Sequence, residues 1–88
     1  MITKQFTITA EIGLHARPAT LLVQEASRYS SDVELEYNEK KVNVKSIMGV
    51  MSLGMANGAT FDIIVDGPDE EEAMAGIEKL LNEKDIAK

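Results

Sequence analysis

The stretch Gly13-Leu14-His15-Ala16-Arg17-Pro18-Ala19-Thr20 decides how this chain folds, and it contains the only histidine. Proline has a fixed φ and no N–H, so a helix accepts it only in the first turn. Beyond Pro18, apolar residues recur at Ala19, Leu22, Val23 and Ala26, then Tyr29, which is helical spacing. The pattern predicts a helix from near Ala16 to about Arg28, with His15 at or just before its N-cap. Ala19, Leu22, Val23 and Ala26 form its buried stripe. Arg17, Thr20, Gln24 and Ser27 fall on the opposite, polar face. Gly13 gives the preceding turn its backbone freedom.

That placement has chemical consequences. The first-turn N–H groups of a helix point outward and carry partial positive charge, so they bind anions. The same dipole disfavours an imidazolium and favours a neutral imidazole able to act as a nucleophile. Arg17 adds a planar, permanently charged donor suited to phosphate oxygens. A phosphoryl group on the His15 imidazole is what this arrangement would hold best. The competing reading is that of most lone histidines, a surface or packing residue. A metal site is disfavoured, because one histidine and no cysteine leave only carboxylates as partners. A hydrolase triad lacks its nucleophile elbow.

With 88 residues the chain supports one modest core, read as a single domain over 1–88. The absence of cysteine excludes disulfide and thiol chemistry and agrees with a reducing cytoplasm. Met1-Ile2-Thr3-Lys4-Gln5-Phe6-Thr7 has no apolar signal region. The most apolar stretch, Ile47 to Ala56, is interrupted by glycines and too short to cross a membrane, which takes roughly 20 residues. Residues 1–50 carry six Lys/Arg and six Asp/Glu, so residues 51–88, with three Lys and nine Asp/Glu, supply the whole net charge of −6. Direct nucleic-acid binding needs clustered basic residues and is disfavoured.

Outward from the helix, Ile2, Phe6, Ile8 and Ala10 alternate with polar residues and predict a half-buried strand. Ser30-Ser31-Asp32 reads as a turn. Val33, Leu35 and Tyr37 predict a second strand, Asn38-Glu39-Lys40 a hairpin turn, and Lys41 to Val44 the returning strand. Ile47 to Leu53 is long enough for about two helical turns, and Asn57-Gly58 marks the next turn. Phe61, Ile63 and Val65 form the last strand. A final helix has Ala73, Met74, Ile77, Leu80 and Leu81 as its core stripe. Asp69 to Glu72 crowd its first turn, with Lys79 and Lys84 toward its other end, as the helix dipole favours. The order β-α-β-β-α-β-α implies an α+β fold: an antiparallel sheet with helices on one face and water on the other.

Ser46 stands where a serine caps a helix, and capping alone would account for it. The helix after it is less ordinary. Ile47, Met48, Val50, Met51 and Leu53 cannot all face inward over two turns. Either some form a docking surface, for which methionine is adaptable, or the Met55–Thr60 loop folds over them. A phosphate on Ser46 would sit at a helix start and place about −1.5 to −2 charge beside these residues.

Taken together, Gly13-Leu14-His15-Ala16-Arg17-Pro18-Ala19 and Lys45-Ser46-Ile47-Met48-Gly49-Val50-Met51-Ser52-Leu53-Gly54 resemble the histidine-containing phosphocarriers (HPr) of the bacterial sugar phosphotransferase system. The second stretch is similar to the form found in low-GC Gram-positive bacteria. The resemblance implies an open-faced β-sandwich, its four strands ordered 1-4-2-3 and its three helices on one face. It implies that His15 accepts a phosphoryl group on Nδ1 from phosphorylated enzyme I and passes it to the A components of sugar permeases. In that scheme Arg17 and the Ala16 N–H hold the phosphate, while Thr20, Gln24, Ile47, Met48 and Met51 meet partners. Ser46 would be modified by an HPr kinase/phosphorylase, and that form would act with a catabolite-control transcription factor. The implied protein is a cytoplasmic monomer without cofactor or metal, a stoichiometric carrier rather than an enzyme. Met55-Ala56-Asn57 departs from the Lys/Gln-containing turn usual there. Two alternatives share part of the pattern: a nitrogen-type phosphocarrier, disfavoured by Lys45–Gly54, and a serine-only regulatory paralogue, disfavoured by His15.

Overall fold

Alternation of apolar and polar residues builds four strands: β1 (Ile2–Thr7), β2 (Asp32–Tyr37), β3 (Lys40–Asn43) and β4 (Thr60–Asp66). The computed structural model describes every residue, Met1–Lys88. All pairings are antiparallel and the strand order is β1-β4-β2-β3. The register sets Phe6 opposite Phe61 and Leu35 opposite Ile63. Because strand side chains alternate between faces, Phe6, Val33, Leu35, Phe61, Ile63 and Val65 all enter the core. Their neighbours Thr3, Gln5, Glu34, Glu36 and Asp62 lie on the open face.

Three helices cover the other face: α1 (Ala16–Ala26), α2 (Ile47–Met51) and α3 (Glu70–Glu83). Helix α1 buries Pro18, Ala19, Leu22 and Ala26, and α3 buries Ala73, Met74, Ile77 and Leu81. The two helices approach closely at Gly76. A Cβ there would collide with the Tyr29 hydroxyl, which donates to Glu25 at 2.8 Å. Both the open sandwich and the 1-4-2-3 order match the fold that the resemblance implied.

Several boundaries differ from the sequence reading. Helix α1 stops at Ala26 rather than Arg28, and Arg28 and Tyr29 instead donate three residues back, to Glu25 and Ala26. Val23 and Leu80, expected in the core stripes, are only half-buried at the edges of their helices. Strand β1 ends at Thr7; Ile8 makes an isolated bridge to Ala87, and Ala10 lies in the following loop. Lys40 belongs to β3, because the hairpin turn needs only Asn38 and Glu39, both with positive φ (55° and 68°). Val44 lies past β3, fully buried, its N–H bonded to Val33. Helix α2 ends at Met51 rather than Leu53, and Gly54 (φ 58°) turns the chain away.

Two long-range features had no counterpart in the sequence reading. The C-terminal residues Ile86 and Ala87 are buried, tied by backbone bonds to Leu81 and Thr9. Asp69, expected to serve the dipole of α3, makes no side-chain cap bond. Its carboxylate accepts from the Ser31 hydroxyl (2.5 Å) and from the N–H groups of Ser30 and Ser31 (2.9 Å each). The Asp69 N–H donates back to Ser31 Oγ at 3.2 Å. The link joins the end of the α1–β2 turn to the start of α3, and the Ser31 hydroxyl, chiefly, holds Asp69 below the usual carboxylate range.

Candidate functional site

The site is assembled by a loop before it is completed by a helix. Gly13 N–H bonds to Ala10 O at 3.0 Å, closing a turn with Glu11 and Ile12 at its corners. Gly13 has φ 86°, and a Cβ there would lie 2.5 Å from Met55 O. Only glycine meets both conditions. Leu14 then buries its side chain and donates its N–H to Met55 O at 2.9 Å. Asn57 Nδ2 donates to Thr9 O and Ala10 O at 3.2 Å each, holding the same loop from the opposite segment. With Leu14 turned inward, His15 is turned out.

His15 is the N-cap of α1, in extended backbone conformation (φ −91°, ψ −168°), and Ala19 N–H closes the first turn on its carbonyl at 3.0 Å. No side chain caps this end, and no acidic residue lies in the first turn. The N–H groups of Ala16 and Arg17 have no acceptor within the chain. Pro18 has none to offer, so the unsatisfied donors stand beside the imidazole. Arg17 is exposed and enters no ion pair. His15 Nδ1 lies 3.2 Å from Gly13 O. A carbonyl only accepts, so in this ring orientation Nδ1 is the donor to Gly13 O.

Along α1, Ala16, Arg17, Thr20, Leu21 and Gln24 line a shallow surface depression next to His15. The Thr20 hydroxyl donates to Ala16 O at 2.7 Å, which leaves its oxygen lone pairs free to accept. Gln24 is exposed. The polar face expected from the sequence is therefore continuous with the helix start.

Ser46 caps α2, its Oγ accepting from Gly49 N–H at 3.2 Å. Met48 is 81% exposed, Met51 40% and Ile47 39%, while Val50 is buried. Met55 enters the core, so the loop after α2 does not cover these side chains. Lys45, which precedes Ser46, is tied to another part of the chain. Its ammonium donates to Tyr29 O at 2.8 Å, just beyond the C-terminal end of α1. No hydrogen bond or ion pair joins the Ser46 segment to His15 or Arg17. The residues that fix the site, Gly13, Met55 and Asn57, act from two loops distant in sequence. The sequence reading marked the second as a loop, by Asn57-Gly58 and the Met55–Thr60 stretch, but not its hold on Gly13.

An open antiparallel sandwich that presents a surface histidine at an unsatisfied helix start has the build of a carrier, with no enclosed substrate cleft at the imidazole. The family model described as the PTS HPr component phosphorylation site matches residues 2–83. The histidine-containing phosphocarrier protein of Mycoplasma is 37% identical, with 99% of both chains covered and a TM-score of 0.95. HPr from Thermoanaerobacter tengcongensis is 46% identical, covering 96% of this chain and 94% of its own, at a TM-score of 0.91. The Bacillus subtilis catabolite repression protein Crh, solved as a domain-swapped dimer, is 48% identical over 88% of each chain, at a TM-score of 0.74. The chain belongs to the HPr family of phosphotransferase-system phosphocarriers.

Proposed function

We propose that His15 accepts a phosphoryl group from phosphorylated enzyme I and donates it to the A components of sugar permeases. The observation that carries this reading is the exposed imidazole beside the unpartnered Ala16 and Arg17 N–H groups and the unpaired Arg17 guanidinium. The bond between phosphorus and the donor's nitrogen breaks as the bond to His15 forms. Arg17 offsets the negative charge spread over the transferring oxygens. For attachment at Nδ1, the ring turns so that this atom leaves Gly13 O and faces the helix N–H groups, its hydrogen moving to Nε2. Two backbone donors and one exposed arginine hold the dianion loosely enough to release it. Thr20, Gln24, Ile47, Met48 and Met51 form the surface that partners meet. The chain works as a monomeric single-domain carrier in the cytoplasm, without catalysing turnover of its own, cofactor or metal.

Ser46 is the regulatory position in this reading, phosphorylated by an HPr kinase/phosphorylase, with the product recognised by a catabolite-control transcription factor. Phosphate there puts a dianion beside the exposed Ile47, Met48 and Met51 and weakens docking of enzyme I. The likeness to Crh favours a second reading in which regulation through Ser46 is the main role; a nitrogen-type carrier is a further alternative.

One labelling experiment separates these readings. Phosphoenolpyruvate and enzyme I give an acid-labile, base-stable phosphoprotein, absent in His15→Ala; kinase and ATP give an acid-stable adduct, absent in Ser46→Ala. An unlabelled wild type in the first reaction, or a labelled His15→Ala variant, overturns the carrier reading.

A further inference from the structure

We propose that Ile12 is a specificity contact for the phosphoryl donor, seating in an apolar recess of that protein. This rests on the carrier reading of His15. Isolated exposed apolar side chains are common and need no explanation by themselves. Ile12 differs in its place. It is 77% exposed at the corner of the turn that Gly13 closes on Ala10, where polar residues and glycine are the usual occupants. Nothing within the chain rewards a branched apolar side chain there.

The geometry of transfer brings a partner over it. Phosphorus has to approach the His15 ring to about 3–3.5 Å, so the donor's surface closes around this side chain. A protein interface of ordinary size covers about 800 Å² on each partner, a disc of roughly 16 Å radius. Three residues of chain span at most ~11 Å, which keeps Ile12 inside a footprint centred on His15.

Rigidity argues for a single partner, and for the donor. The turn is held by two bonds from Asn57 and by Gly13 seated on Met55, and an isoleucine is stiff at χ1. Such a contact cannot reshape itself for different surfaces. Met48 and Met51, flexible and exposed, can adapt to several acceptors. A fixed apolar knob fits the partner met in every cycle, the protein that delivers the phosphoryl group.

The test uses the full chain with phosphoenolpyruvate and enzyme I, and compares Ile12→Ser with Ile12→Leu. Ile12→Ser raises KM for uptake about five- to tenfold with kcat unchanged, and Ile12→Leu stays within about threefold of wild type. Transfer from the phosphorylated Ile12→Ser protein to a permease A component, and its rate of spontaneous hydrolysis, stay at wild-type values. The proposal is overturned if KM does not move, or if kcat falls instead, which would make Ile12 a support for His15. It is also overturned if Ile12→Leu behaves like Ile12→Ser, if the acceptor step suffers equally, or if hydrolysis quickens. Failure of the carrier reading looks different: wild type itself takes up no phosphate.

Discussion

The starts of α1 and α3 answer the same electrostatic problem in opposite ways. Each begins without a side-chain cap bond from its N-cap residue. Helix α3 supplies its own anions: Glu70, Glu71 and Glu72 occupy its first turn, and Glu70 also accepts from Gly67 N–H at 3.1 Å. That bond, above all, holds Glu70 below the usual carboxylate range. Helix α1 has no acid in its first turn and adds Arg17 to an end that is already positive. On its own that is the less stable choice, since the dipole favours negative charge there. The difference teaches that α3 is finished by its own sequence, whereas the start of α1 is left with unpartnered donors.

The contrast can be broken from either side. The largest effect is expected at Arg17: Arg17→Gln lowers kcat/KM for phosphoryl uptake about 10²-fold while leaving the melting temperature near wild type, read by enzyme I kinetics and calorimetry. Making α1 resemble α3 comes next. Ala16→Glu adds the missing first-turn acid, stabilises the fold by ~0.3–1 kcal/mol, and lowers uptake at least about tenfold through repulsion of the incoming dianion. A more stable, less active variant is the signature; an uptake rate like wild type would mean that this end is not where the phosphoryl group sits.

The smallest effect concerns Asp69, whose bonds go to Ser30 and Ser31 instead of to α3. Its folded-state pKa lies below the unfolded value near 4. Its contribution to stability is therefore present above pH 4 and lost as pH falls through the depressed folded value. Asp69→Asn lowers stability at neutral pH and flattens the acid limb of an unfolding titration, with phosphoryl uptake unchanged. An unaltered acid limb would show that the link to Ser31 contributes nothing to the fold.

Much of this was legible in the chain, and for local reasons. Pro18 fixed where α1 had to begin, which put His15 at the cap; Ser46 stood at a helix start; and alternation in β2 and β4 marked their inward faces. Strand order came from resemblance, because nothing in alternation says which strands are neighbours. The Asp69–Ser31 link joins residues 38 apart, neither in a patterned stretch. As one of four acids in a row, Asp69 had a local explanation that gave no hint of its bonds to Ser30 and Ser31. Lys45 is a similar case: its charge was visible, but its reach to Tyr29 was not. Ile86 and Ala87, too few to show any period, gave no sign of burial.

Gly13 rests on the main chain of Met55 and Ala56, not on their side chains. The loop that carries His15 therefore depends on the length of the 55–58 segment and, through the Asn57 side chain, on one residue of its composition. Replacing the exposed Ala56 leaves the imidazole where it stands, but inserting a single residue there shifts the platform beneath it. Change at Ala56 is thus tolerable in kind and intolerable in number, while Met55, buried, and Asn57, bonded to Thr9 O and Ala10 O, are held to their side chains as well.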